Sequence, residues 1–207
     1  IIGAVDTLRE NKEKLSVANK NDLLTEIDKA SMRLNRQVEN LLNMSRLESG
    51  MLKPKIDWCD VNELINSVIQ KCTVTKGHMI EFQPNEKLPL FKLDAGLMEQ
   101  VLQNLILNAI QYTPPNSIIE IEALHHSGNC VITVADNGKG FPENEISLAF
   151  DKFHRLPESK SGGSGLGLSI VKGFTEAHHG NVTLKNNEKG GATFRIEIPA
   201  EASYMNN

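Results

Sequence analysis

The segment Asp136-Asn137-Gly138-Lys139-Gly140 places a carboxylate where an apolar run, Val131, Ile132 and Val134, meets a glycine turn. A carboxylate at the end of such a strand is partly buried and needs a hydrogen-bond donor. Adenine offers one through its N6 amino group, whereas guanine presents O6, an acceptor, at the same place. The plain alternative is an Asp-Asn-Gly hairpin turn. Gly138 and Gly140 would let the backbone approach a ligand closely. A second run, Gly163-Ser164-Gly165-Leu166-Gly167, precedes a helical pattern. Its N–H groups, with a helix N-terminus behind them, are suited to an anion, although a flexible linker has the same composition. Upstream, Asn104 and Asn108 are spaced i, i+4. They share a face with Gln100 and Gln111, opposite Met98, Leu102, Leu105, Ile106 and Ala109. Uncharged amides replace the charge expected on an outer helix face. An amide oxygen is a hard ligand, suited to Mg²⁺ that already carries water and phosphate oxygens. Ordinary polar surface remains the alternative for that helix taken alone. No G-x-x-x-x-G-K-[ST] segment is present, so the parts together point to ATP held without a Walker loop.

Between the two glycine runs lies Phe150-Asp151-Lys152-Phe153-His154-Arg155. The two phenylalanines are expected to anchor a lid to the sheet. Lys152, Arg155 and Lys160 are candidates to approach phosphates, with solvated surface equally open for each.

These groups need a scaffold, and the pattern from about residue 55 supplies strands alternating with helices. Residues 56–60 read as a strand. Asp60-Val61-Asn62-Glu63 reads as a capping box opening a helix to about Cys72. Strands are expected at 78–83 and 90–93. Asp94 caps a helix reaching Tyr112, and Pro114-Pro115 prevents its continuation. A hairpin over 117–124 and 130–135 turns at Ser127-Gly128-Asn129. Residues 141–163 show little periodicity. A helix runs from Gly165 to about His178 and stops at Gly180. Strands at 181–185 and 192–199 close the domain. The fold class is α+β: a helical hairpin, then an α/β sandwich whose mixed sheet is covered on one face by three helices.

The hairpin is read from residues 1–50. Ile27, Leu34 and Leu41 recur every seven residues, and Leu24, Val38, Leu42 and Leu47 widen the stripe. A shorter helix carries Ile2, Val5 and Leu8. Two such helices bury their apolar faces either as half of a dimeric four-helix bundle or by packing on the following domain. Gly50 and Pro54 mark the end of the long helix and the division between domains 1–50 and 51–207. The first residues read as the middle of a helix in a longer protein.

Composition narrows the classes. The 207-residue chain is 40% hydrophobic with a net charge of −4, which argues against nucleic acid as the main partner. Cys59, Cys72 and Cys130 form no metal or C-x-x-C pattern, consistent with reduced thiols in a cytoplasmic compartment. No apolar run approaches the roughly 20 residues a membrane helix needs, so this segment makes no direct membrane contact.

Asn104-x-x-x-Asn108, Asp136-x-Gly138-x-Gly140, Phe150-x-x-Phe153 and Gly163-x-Gly165-x-Gly167 resemble the N, G1, F and G2 boxes of sensor histidine kinases. Gly190-Gly191-Ala192-Thr193-Phe194 resembles the closing glycine turn of the same catalytic domain. The match covers about 55–199, and the helices before it resemble the dimerisation and histidine-phosphotransfer hairpin. Asn40 to Gly50, with Trp58 shortly after, is most similar to the Kdp-type potassium and turgor sensors. The resemblance implies a Bergerat-type ATP-binding fold with ATP and Mg²⁺ as cofactors. Asn104 and Asn108 would be the catalytic residues, Asn108 as the metal ligand and Asn104 near the phosphates. Tyr112 would lie beside adenine or ribose, and Asp136 would accept the N6 amino group. Gly138 and Gly140 would line the base. Gly163, Gly165, Leu166 and Gly167 would contact phosphates, with Lys152, Phe153, Arg155 and Thr193 completing the nucleotide site. Implied partners are a second copy through the hairpin and a response-regulator receiver domain. The location would be the cytoplasmic part of a membrane sensor.

Two departures stand out. Gln111 occupies the position where many relatives carry a phosphate-binding Lys. The His-bearing box of the first helix is absent, and the chain reads as beginning just after it. His78, His125, His126, His154, His178 and His179 lie outside that context, so this chain is not expected to phosphorylate itself. The rival class is a self-contained ATPase of the same fold, which usually places a Glu where Asn104 stands, as general base. A nucleotide-gated scaffold without phosphotransfer is the non-enzymatic alternative.

Overall fold

The computed structural model describes residues 2–10, 15–72, 77–156, 163–188 and 190–204. The chain divides into two units, 1–45 and 46–207.

The first unit holds α1 (Ile2–Glu10) and most of α2 (Val17–Glu48). Ser16 caps α2, its Oγ accepting from Asn19 N at 3.1 Å. Leu24, Leu34, Val38, Leu41 and Leu42 of the heptad stripe are all exposed on α2.

The division falls inside α2 because its last turn belongs with the second unit. A Cβ on Gly173 would lie 2.6 Å from a Leu47 methyl carbon. Glu48 Oε1 is 2.7 Å from Lys152 Nζ.

The second unit continues with β1 (Asp57–Cys59), α3 (Val61–Cys72), β2 (Met79–Phe82), β3 (Leu90–Leu93) and α4 (Ala95–Tyr112). The hairpin β4 (Ile118–His126) and β5 (Asn129–Asp136) follows. Then come α5 (Glu143–Ile146), α6 (Gly167–Ala177), β6 (Asn181–Asn186), β7 (Ala192–Pro199) and β8 (Ala202–Ser203). The caps do what their residue types dictate. Asp60 Oδ1 accepts from Glu63 N at 3.1 Å at the start of α3. Asp94 Oδ1 accepts from Leu97 N at 3.0 Å at the start of α4. The β4–β5 turn is tighter than expected: Ser127 and Gly128 both take positive φ (51° and 78°), a two-residue turn matched to strand twist.

Five strands form the main sheet in the order β2-β4-β5-β7-β6. β2 and β4 are parallel, and every other neighbour pair is antiparallel. The parallel pair requires a crossover, which α4 provides. β7 shows how the layers meet: Ala192, Phe194, Ile196 and Ile198 are buried, and Thr193, Arg195 and Glu197 alternate with them on the open face. Ile65 of α3, Met98, Leu102, Leu105 and Ile106 of α4, and Ile170 and Phe174 of α6 complete the core, all fully buried. The mixed sheet with three covering helices agrees with the sequence reading.

Two elements lie beyond it. β1, β3 and β8 form a separate antiparallel sheet in the order β1-β3-β8; the strands at β1 and β3 are as expected, but their pairing is long-range and β8 has only two residues. The short α5 lies within the stretch that reads as aperiodic.

Candidate nucleotide site

The C-terminal half of α4 forms one wall. Asn104 is 6% exposed, and Asn108 is half-buried. The face expected to meet solvent is instead covered by the glycine run ahead of α6. A Cβ on Gly167 would lie 3.4 Å from Asn104 Oδ1 and 3.9 Å from Asn108 Oδ1. A Cβ on Gly163 would lie 3.2 Å from the Tyr112 hydroxyl and 3.7 Å from Gln111 Nε2. The loop therefore runs along Tyr112, Gln111, Asn108 and Asn104, and α6 begins where the two asparagines meet it. The first N–H groups of α6 and the Asn108 oxygen, the donor and acceptor types that phosphate and a hard cation require, are neighbours.

The other wall is the turn after β5. Asp136 Oδ1 accepts from Gly138 N at 2.8 Å and from Ala192 N at 3.3 Å. Burial raises its pKa above 3.8, and the two backbone hydrogen bonds oppose the rise without cancelling it. With both donors on Oδ1, Oδ2 is the oxygen left to meet a ligand. The turn is held from behind: Asn137 Oδ1 accepts from Ile118 N at 2.9 Å. A Cβ on Gly138 would come within 2.7 Å of Thr113 Cγ2, which seats the turn on the end of α4. Gly191 is obligatory, since it has φ +91° and its missing Cβ would lie 1.9 Å from the Asp136 carbonyl oxygen.

The segment between the walls departs from expectation. Phe150 does anchor to the sheet, edge-on to Phe194 with ring centroids 6.3 Å apart. Phe153 does not. It is 65% exposed with φ +62°, because its backbone is drawn into a bridge: Phe153 N donates to Gly165 O at 3.0 Å. Gly165, at φ +71°, passes so close that a Cβ would lie 2.7 Å from Phe153 C. Lys152 is paired with Glu48 rather than aimed at the site, Arg155 is exposed, and Lys160 lies outside the described residues. Leu166 is fully buried, so only its backbone can meet a ligand. Thr193 stands on the open face of β7, its hydroxyl donating to Asn187 Oδ1. The side chains of Asn186 and Asn187 also reach the Asp136 turn, and neither belongs to the motifs. The signal is faint: Asn186 continues the buried row Val182, Leu184, where alternation favours an apolar residue.

Four of the six histidines have structural surroundings. His178 is buried, its Nδ1 donating to Phe174 O at 2.7 Å and its Nε2 accepting from Asp94 N at 3.1 Å. His125 meets the Tyr204 hydroxyl, His78 meets Thr113, and His154 meets Glu145. Among the described residues, no three His, Cys, Asp or Glu side chains cluster as a metal site. No described helix is long and apolar enough to cross a membrane.

Residues 93–202 match the family model described as histidine kinase-, DNA gyrase B-, and HSP90-like ATPase. The chain belongs to this ATPase family. The matched span contains both walls and the segment between them. Sensor protein KdpD of Clostridium acetobutylicum is 34% identical over 97% of this chain, and 23% of its own length is covered. Sensor protein KdpD of Escherichia coli is 35% identical over 86% of this chain and 20% of its own length. The chain thus spans about a quarter or less of these sensor proteins. The catalytic domain of histidine kinase ThkA has a TM-score of 0.62 at 30% identity, covering 70% of this chain and 95% of that one.

Proposed function

We propose that residues 46–207 bind ATP with Mg²⁺ and serve as the catalytic domain of a sensor histidine kinase of a two-component system. The observation that carries this reading is the convergence of the α6 N-terminus on Asn104 and Asn108, across from a partly buried carboxylate with one free oxygen. Asp136 Oδ2 would accept from the adenine N6 amino group. The N–H groups around Gly165 and Gly167 would receive phosphate oxygens, and Asn108 Oδ1 would supply one ligand to Mg²⁺. Mg²⁺, when bound, neutralises charge between phosphate groups.

Asn104 separates transfer from hydrolysis. An amide cannot accept a proton from water at neutral pH, so this domain lacks a general base at the position next to the metal ligand. The site is suited to holding ATP in place while a positioned imidazole attacks the γ-phosphate. None of the chain's own six histidines fits that part. The acceptor would be a histidine of the dimerisation hairpin, and the phosphoryl group would pass to an Asp of a response regulator. The exposed apolar stripe of α2 supports a homodimer through that hairpin. By the same reading, the domain works on the cytoplasmic side of a membrane sensor.

The test is transfer in trans. Incubated with γ-labelled ATP and Mg²⁺, this chain should not label itself. It should label a catalytically dead partner that carries an acceptor histidine on its hairpin, and Asn108→Ala should abolish that labelling. Stoichiometric label on one of the six histidines, or transfer that survives Asn108→Ala, would overturn the assignment.

A further inference from the structure

The side chains of Asn186 and Asn187 close on the Asp136 turn from its two ends. Asn186 Oδ1 accepts from Phe141 N at 2.8 Å, and its Nδ2 donates to Phe141 O at 2.8 Å and to Glu143 Oε1 at 3.1 Å. One side-chain amide thus copies the paired bonds of a neighbouring strand and extends the ladder of β6 onto the exit of the turn. Gly140, at φ +71°, leaves room for it: a Cβ there would sit 2.5 Å from Asn186 Oδ1. Asn187 holds the entry, with Nδ2 donating to Asp136 O at 2.9 Å. Its Oδ1 accepts from the Thr193 hydroxyl, and its backbone pairs with Gly190 and Gly191. The partners fix both amide orientations, since a carbonyl only accepts and a peptide N–H only donates.

We propose that Asn186 and Asn187 are positioning and specificity-determining residues of the nucleotide site, clamping both ends of the 136–141 turn and so setting where the Asp136 carboxylate meets the base. Strand geometry makes the grip possible. Asn186 is the last residue of β6 and Asn187 the first beyond it, so the two neighbouring asparagines reach opposite ends of one loop. The inference rests on the adenine role of Asp136 stated above. The clamp touches no part of the nucleotide. It acts through the carboxylate, so its loss should reduce discrimination between bases as well as affinity.

Asn186→Asp is the informative variant, being isosteric. It keeps the acceptor for Phe141 N but turns the donor into a second acceptor facing Phe141 O and the Glu143 carboxylate. ATP affinity, measured by calorimetry on the full chain, should fall about tenfold, the cost of an unmade part-buried hydrogen bond. GTP affinity, measured by displacement of ATP, should change much less, so the ATP-to-GTP ratio collapses. Glu143→Gln added to Asn186→Asp replaces the facing carboxylates by an amide-to-carboxylate hydrogen bond and should recover part of the lost ATP affinity, the bond to Phe141 O staying unmade. Asn187→Asp, which loses the donor to Asp136 O, should also lower the ratio. Circular dichroism at the assay temperature shows that each variant is folded. Unchanged ATP affinity in Asn186→Asp, an equal loss for ATP and GTP, or no rescue by Glu143→Gln would each overturn the clamp. Asp136→Ala separates the two levels. If it binds ATP like wild type, the adenine seat is wrong. If it abolishes binding while Asn186→Asp is neutral, only the clamp is wrong.

Discussion

Gly167→Ala should move stability and nucleotide affinity in opposite directions. Gly167 is the first residue of α6. A Cβ there would lie 3.4 Å from Asn104 Oδ1 and 3.9 Å from Asn108 Oδ1. Both distances are ordinary van der Waals contact, so the methyl fits the ligand-free domain without displacing anything. Replacing glycine by alanine in a helix is worth about 0.5–1 kcal/mol, and toward the lower end in the first turn. For a domain of this size the melting temperature should rise by roughly 1–3 °C. The same methyl occupies the space between the asparagines and the start of α6, where the proposed function needs a phosphate oxygen at about 2.9 Å. Losing one charge-assisted hydrogen bond costs about 1.5–3 kcal/mol, or roughly 10- to 150-fold in affinity. Calorimetric titration with ATP·Mg²⁺ and a thermal melt on the same preparation provide both numbers. Unchanged ATP affinity beside a raised melting temperature would show that phosphate does not sit at the start of α6. A lowered melting temperature would show that the methyl is not accommodated.

The pH dependence of ATP binding should report Asp136. Its pKa is raised by burial above 3.8; in the proposed adenine role the ionised carboxylate is a stronger acceptor than the neutral acid, so affinity should fall on acidification from a higher pH than an ordinary Asp would give. In the ligand-free domain the sign is reversed. The folded state holds the proton more tightly, so its cost is absent below the unfolded pKa, grows through the raised one, and should vanish in Asp136→Asn; melts of wild type and variant with the same pH slope in that window would refute the shift. Burial pushes the Cys59 thiol up to about 11 and the Cys130 thiol to about 12, so neither should react with a maleimide at pH 8 until the domain is unfolded; rapid native-state labelling of Cys130 would contradict its place in the core. Leu34→Glu should lower the dimer fraction in sedimentation at micromolar concentration, because Leu34 lies in the exposed stripe of α2; an unchanged profile would remove that stripe from the interface.

The framework of the candidate site was legible from sequence where the structure is local. Asp60 and Asp94 cap the helices that follow them because a cap is a contact over three residues. Gly140, Gly165, Gly190 and Gly191 all take positive φ because the turns they form admit little else. The 3.6-residue spacing of Met98, Leu102, Leu105 and Ile106 sufficed to place α4 on the sheet. The motifs Asn104/Asn108, Asp136 and Gly163–Gly167 carried the family because each is a short run of fixed residue types. What no local pattern contained is how those parts meet. Asn104 is buried because α6 starts over it, a contact between residues more than sixty apart in the chain. Phe153 faces solvent although Phe150 packs on the sheet, because its backbone is committed to Gly165. His178 ties the end of α6 to the start of α4, and Asn186 and Asn187 grip a turn formed some fifty residues earlier. Side-chain amides and imidazoles bond whatever backbone comes within about 3 Å. Residue type thus determined which groups the chain carries and which turns it makes, whereas the order and register of the sheet decided which of those groups share a site.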